Sequence, residues 1–254
     1  MTAPYSTSMA GSLVDRVALV TGGGTGIGRA TALALAESGA AVAVNYSRSR
    51  EDAEATVDAI RGTGRAALAV QADVSRDRDA VQMVDRVIRD LGRLDILVNS
   101  AGTTKFVDHK DLDALSEELW DRIFSVNVKG AFFCIRAASR VMIEGRIVNI
   151  GSVAGINGLG SSIPYAASKG ALHTMTKSLA RSLAPRITVN AIAPGLIETR
   201  WHAGRELENS RRARELPAKR IGRPEDIAQI ALALAASDNF LTGQVIVVDG
   251  GALL

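Results

Sequence analysis

The chain has 254 residues, 47% hydrophobic and 22% charged, which suits one large α/β domain with a continuous core. Its formal net charge of +3 is small for that length, and its basic residues are scattered, so no basic face for nucleic acid is expected. Arg211, Arg212 and Arg214 stand among Glu206, Glu208 and Glu215 and read as a solvated helix face.

In chain order, short apolar runs alternate with helical stretches. Residues 17–20 predict a strand and 26–38 a helix, with Gly39 as its cap. Strands over 41–44, 66–70 and 94–98 enclose helices over 50–60 and 78–91. One long helix is predicted over 117–143, then a strand over 147–150 and a helix over 165–183. Strands over 187–192 and 245–248 flank a helix over 227–236. Such alternation predicts a Rossmann-type, doubly wound parallel sheet of about seven strands, helices on both faces, in a single domain over 13–254. Residues 1–12 are expected to form a flexible tail without the features of a signal peptide. No apolar run approaches the ~20 residues of a membrane span, so a cytoplasmic protein is expected. Residues 198–221 are charged and contain Gly204 and Pro217, the profile of a mobile flap over a site. Cys134 is the single cysteine, excludes an internal disulfide, and reads as a small buried hydrophobe.

The stretch Thr21-Gly22-Gly23-Gly24-Thr25-Gly26-Ile27-Gly28 lies between the first strand and the first helix. Residues without a Cβ let the backbone approach a pyrophosphate, and the helix start supplies free N–H groups. The spacing T-G-x-x-x-G-x-G is neither G-x-G-x-x-G nor a P-loop, which would need a following Lys-Ser/Thr pair. The second strand ends in Asn45-Tyr46-Ser47-Arg48, with no acid to bind a ribose 2′-hydroxyl. Ser47 and Arg48 suit a 2′-phosphate instead, so NADP(H) is expected over NAD(H).

Tyr165 and Lys169 are four residues apart, hence on one face of a helix. A nearby ammonium favours phenolate, so Lys169 is expected to lower the Tyr165 pKa. Ser152 follows the fifth strand, at the edge where an open sheet forms its ligand crevice. The histidines at 109, 173 and 202 show no metal-ligand spacing, and no metal is expected.

Thr21 to Gly28, Asn99-Ser100-Ala101-Gly102, Asn127, Ser152, Tyr165, Lys169 and Pro194-Gly195 fall in an order and spacing that resembles the short-chain dehydrogenase/reductases. The likeness runs from about Leu13 to Gly251. It implies an oxidoreductase in which hydride passes between nicotinamide and substrate carbon while Tyr165 acts as acid/base. By the same resemblance Lys169 tunes Tyr165 and binds ribose, Ser152 polarises the carbonyl, and Asn127 holds a relay water. Ile27 would back the pyrophosphate turn, together with Gly22, Thr25, Gly26 and Gly28. Asp73 and Val74 would meet adenine, and Asn99, Ala101 and Gly102 its ribose. Pro194, Gly195, Ile197 and Thr199 would hold the carboxamide. Ser100 stands where the family commonly has a second Asn, so a modest loss of hydrogen bonding is expected there. The connection over 142–146 is shorter than in many relatives.

The resemblance is strongest to 3-oxoacyl-carrier-protein reductases and the ketone and sugar reductases near them. The expected substrate is a small carbonyl or alcohol, either a 3-oxoacyl thioester or a small ketone. Arg186 sits where carrier-protein users often place a basic residue, whereas Ile143 fills a second such position. A homotetramer built on the two long helices and the last strand is also implied. The competing class is an NAD(P)-binding regulatory protein without turnover, which would not need Asn127, Ser152, Tyr165 and Lys169 together. Epimerases and dehydratases of the extended group carry another glycine spacing and a longer C-terminal domain. Trp201 and His202 either face the substrate or cap the flap.

Overall fold

A computed structural model describes residues 13–202, 211, 213–236 and 240–254, so the expected tail over 1–12 and part of the expected flap lie outside the described residues. Val17–Thr21 (β1) and Ile96–Asn99 (β4) are buried along their whole length, the mark of strands covered on both faces. The other strands are Ala41–Tyr46 (β2), Ala67–Gln71 (β3), Gly145–Ile150 (β5), Ile187–Pro194 (β6) and Val245–Val248 (β7). All pair in parallel, in the order β3-β2-β1-β4-β5-β6-β7. Val20 of β1 aligns with Val44 on one side and Val98 on the other. The winding reverses between β1 and β4, and the crevice outside their carboxyl ends is where such sheets bind ligands.

Two apolar layers sandwich the sheet. Gly26–Glu37 (α1), Arg50–Gly62 (α2) and Pro224–Ala236 (α8) cover one face, packing Leu35, Ile60 and Ala231 against Val20 and Val42. Asp77–Leu91 (α3), Ala131–Val141 (α5) and Ile163–Leu183 (α7) cover the other, packing Met83, Ile135 and Ala180 against Leu97 and Val189. Cys134 is fully buried in that second layer, and burial pushes its thiol up to about 12, which makes it a hydrophobe. Helix α3 buries Ala80, Met83, Val84 and Val87, one stripe at helical spacing. It opens with Asp77 and Asp79, which suit the positive end of the helix dipole, and Gly92 caps it at φ 83°.

The predicted helix over 117–143 is three pieces: Glu117–Phe124 (α4), a π-helical turn Ser125–Gly130, and α5. In the wide turn Asn127 is buried and its side chain bonds to two other segments, which the 3.6-residue pattern did not anticipate. Helix α7 starts two residues before Tyr165, with Pro164 in its first turn, where a missing N–H costs nothing.

Strand β4 begins after Asp95, whose buried carboxylate ties down the amino end of the sheet. It accepts from Val17 N at 2.9 Å, Arg16 Nη1 at 3.1 Å, and Arg93 Nε and Nη2 at 2.9 and 2.7 Å. The short connection before β5 is closed by Arg186, which donates to the carbonyls of Met142 and Ile143.

Candidate active site

At the carboxyl end of the sheet lies a cavity of about 370 Å³. The glycine-rich turn forms one wall. Gly22 has φ 63° and lies so close to β4 that a Cβ would sit 3.0 Å from Ala101 Cα, while a Cβ on Gly28 would overlap the Gly22 carbonyl. The turn is therefore closed to side chains and open to a ligand, above the free N–H groups of α1. Thr21 holds it to β4: its Oγ1 accepts from Ser100 N and Ala101 N, both at 3.1 Å. That bond secures the segment where Ser100 replaces the family's second Asn.

Gly22, Thr25, Gly26, Ile27 and Gly28 all line the cavity, as do Asn45, Tyr46, Ser47 and Arg48. Asn45, however, is buried and committed to the protein. Its Oδ1 accepts from Gly22 N at 3.3 Å, and its Nδ2 donates to the Val70 and Ala72 carbonyls. Its part is to lock the turn to β2 and β3. Ser47 and Arg48 are exposed at the cavity rim, and no acid lines the rim at the end of β2.

Asp73 and Val74 line the same end. Burial pushes the Asp73 carboxyl up, but hydrogen bonds from the Ser75 side chain and backbone and the charges of Arg122 and Arg76 outweigh it and leave the group lowered. Ala101 and Gly102 are brought into the cavity, and Asn99 is not. The Asn99 side chain turns along the sheet and donates to Asn149 Oδ1 at 2.9 Å, tying β4 to β5, so any part it takes beside a ribose falls to its backbone. Pro194, Gly195, Ile197 and Thr199 line the opposite wall, from the end of β6 onward.

Helix α7 buries Tyr165, Ser168, Lys169, Leu172, His173 and Thr176 along one stripe. Ser152, two residues beyond β5, lines the cavity with Tyr165, and its Oγ accepts from Ala154 N at 3.1 Å. Lys169 Nζ lies 5.7 Å from the Tyr165 ring centroid and donates to the Ile150 carbonyl at 2.7 Å. Burial pulls Lys169 down to about 8. The expected lowering of the phenol is not what the geometry gives: burial pushes Tyr165 up to about 12, opposed by the Ser152 hydroxyl. With the phenol neutral, the Lys169 ammonium is held by the Ile150 carbonyl, and its charge bears on Tyr165 only once the phenolate forms.

Asn127 does not line the cavity. Its Oδ1 accepts from Thr103 N at 2.8 Å, and its Nδ2 donates to the Thr103 carbonyl and Ser168 Oγ. Both amide hydrogens are spent, so the side chain fixes Thr103 and α7.

Ser49, Ala72, Arg122, Val126 and Ile150 also line the cavity, and no motif in the sequence singled them out; Thr103 and Arg200 line it as well, from the loop and the flap expected to build the pocket. Arg122 belongs to α4 and carries no motif. Arg200 makes a bidentate pair with Asp52 of α2, at 2.6 and 2.7 Å, across 148 positions. Trp201, next to it in the 3₁₀ turn Arg200–His202, sets its ring against Tyr165, with centroids 5.8 Å apart and planes at 72°. Of the expected flap, 203–210 and 212 lie outside the described residues. Among the described residues no group of three or more His, Cys, Asp or Glu could hold a metal ion, and no helix is long and apolar enough to cross a membrane.

A family model described as Enoyl-(Acyl carrier protein) reductase matches residues 22–252. A 3-oxoacyl-(acyl-carrier-protein) reductase of Staphylococcus epidermidis is 39% identical over 245 residues, covering 94% of this chain and 99% of that protein. The tetrahydroxynaphthalene reductase of Pyricularia oryzae is 38% identical over 272 residues, covering 99% of this chain and 93% of that one. A crystal structure of a short-chain dehydrogenase from Burkholderia cenocepacia J2315 in complex with NADP superposes with a TM-score of 0.88 at 38% identity, covering 96% of this chain and 100% of that one.

Proposed function

The chain belongs to the short-chain dehydrogenase/reductase family and is an NAD(P)-dependent, carbonyl-reducing oxidoreductase; from that premise we propose NADP(H) as its cofactor and a 3-oxoacyl thioester or a small ketone as its substrate. The observation that carries the reading is that Ser152, buried Tyr165 and Lys169 line one cavity, with Lys169 one helical turn from Tyr165 and its Nζ 5.7 Å from the Tyr165 ring centroid. A purely regulatory nucleotide binder has no use for that arrangement.

The residues fit a dinucleotide: a turn closed to any Cβ, free helix N–H groups beside it, and a basic rim without an acid where a 2′-phosphate would lie. When bound, NADP(H) supplies the hydride. The chain's own residues manage the oxygen. Ser152 holds the substrate oxygen beside Tyr165. With its phenol pushed up to about 12, Tyr165 is protonated at neutral pH and starts the reaction as an acid, which suits reduction. Lys169, at about 8, is mostly charged at pH 7 and stabilises the phenolate that forms as the proton leaves. Asn127 acts by position, holding Thr103 against α7.

Residues 198–221 serve as the substrate flap in this reading. The protein works in the cytoplasm as a homotetramer, with a small-molecule substrate and no nucleic-acid partner. Arg186 is partly engaged with the Met142 and Ile143 carbonyls, which weakens it as a carrier-protein contact and favours a free substrate. The deciding test is the initial rate of NADPH and NADH consumption with an acetoacetyl thioester and with small ketones. Turnover with NADPH well above NADH is the expected result, and equal use of both would overturn the cofactor assignment.

A further inference from the structure

Of the three aromatics that line the cavity, Tyr165 is the proton donor, Tyr46 lies at the end of β2 by the glycine turn, and Trp201 has no part in the proposed chemistry. Its ring meets Tyr165 nearly at a right angle, with centroids 5.8 Å apart. On the β4 side it reaches Gly102, where a Cβ would stand 3.5 Å from Trp201 Cη2. The indole therefore spans the cleft from the end of β4 to α7, beside the proton donor, and still leaves 41% of its surface exposed. So much apolar area facing water at a fixed position favours a ligand that covers it. The position is fixed from next door, where Arg200 is clamped to Asp52 by two short hydrogen bonds.

The surroundings say what kind of ligand. The charged side chains that line the cavity are taken up elsewhere. Lys169 faces the Ile150 carbonyl, Arg200 faces Asp52, and Arg122 lies by Asp73. Arg48 is at the end of β2, on the glycine-turn side. Among the described residues, none is left beside Ser152, Tyr165 and Trp201 to pair with a substrate carboxylate or phosphate. Two aromatic planes at a steep angle make a corner that a flat, rigid body fills with its full face. A flexible chain would surrender rotor entropy to do the same.

We propose that the substrate of this site is an uncharged ketone carried on a flat ring system, one face laid on the Trp201 indole and the carbonyl held at Ser152 and Tyr165. The proposal rests on the carbonyl-reductase reading above and narrows it to the ring-borne ketones.

The test compares 2-tetralone with a linear acetoacetyl thioester, using wild type, Trp201→Ala and Trp201→Phe. The loss of kcat/KM in Trp201→Ala should be roughly tenfold greater for the tetralone than for the thioester, the size of one aromatic pair, and Trp201→Phe should recover much of it. Equal losses on both substrates would make Trp201 a cap for the flap and overturn the proposal. A binding arm separates this from failure of the reductase reading. The chain has two tryptophans, and the other, Trp120, stacks on Phe124 of its own helix. In a Trp120→Phe background with NADP⁺ present, 2-tetralone should quench Trp201 emission saturably and the thioester should not. No quenching refutes the ring-ketone proposal. Quenching without NADPH oxidation of either substrate upholds it as a binding site and refutes the reductase reading.

Discussion

At the amino end of the sheet, Asp95 takes hydrogen bonds on both oxygens from Val17, Arg16 and Arg93. At the carboxyl end, the buried atoms Asn99 Oδ1, Ser162 Oγ and His173 Nε2 have no partner, and Lys169 is buried against a single carbonyl. A Cβ on Gly151, next to Ser152, would overlap His173 Nε2. Both ends belong to the same strands. One spends its polar groups on holding the strands together; the other keeps polar groups unspent and space free, at a cost in stability, because unsatisfied buried atoms are expensive. The comparison teaches where to look for each property: substitutions at the first end should move stability and leave the chemistry, and those at the second the reverse.

The largest effect expected is from Tyr165→Phe. It removes only the hydroxyl, so kcat should fall by roughly 10²–10⁴, the usual worth of a positioned acid. NADPH binding, followed by fluorescence titration, should persist, and a variant with near-full rate would sink the mechanism. At the opposite end, Asp95→Asn should cost about 2 kcal/mol in denaturant unfolding, since it breaks a buried, charge-assisted set whose arginine partners are half exposed. Its kcat at 25 °C should hold; a collapse of kcat without loss of stability would erase the contrast between the ends. Arg48→Ala should raise the KM for NADPH by roughly tenfold, the worth of a charge-assisted hydrogen bond, and far more than the KM for NADH. Equal changes would mean that Arg48 never meets the 2′-phosphate.

A pH dependence is expected at the carboxyl end as well. Burial, then the charges of Lys169 and Lys177, pull the His173 imidazole from 6.5 down to about 4. As pH falls below 6.5 the unfolded chain takes up this proton first, so it binds more protons than the native state. Stability is therefore complete above 6.5 and declines through the window down to about 4. His173→Gln should flatten the curve between pH 5 and 6.5. A slope unchanged by the substitution would assign the titration to another group.

Much of this was legible in the sequence because it is local or periodic. The seven strands are contiguous runs of Val, Ile, Leu and Ala, and the four-residue spacing of Tyr165 and Lys169 already implies a shared helix face. What the sequence hid depends on distance and direction. Asn45 and Asn99 sit at the expected positions beside the cofactor turn, yet their amides point into the protein, a rotamer choice that no spacing reveals. The Arg200–Asp52 pair joins residues 148 positions apart, and Arg122 reaches the cavity from a helix without a motif. For Tyr165 the spacing shows the neighbouring Lys169 but not the depth of burial, which pushes the phenol up.

The π turn over Ser125–Gly130 acts on the chain as a phase slip. One extra residue in a helical turn rotates everything after it by about 100° relative to an unbroken helix. Upstream of it Ile123 belongs to the small apolar cluster with Tyr165; downstream Cys134, Ile135 and Ala138 belong to the layer under β4 and β5. Because the slip lies between them, a single-residue deletion within 125–130 would restore the regular winding and swing α5 off its strands. For this stretch the number of residues is a requirement in its own right, beside the amide of Asn127 and the missing Cβ of Gly130, which would stand 2.9 Å from Val74.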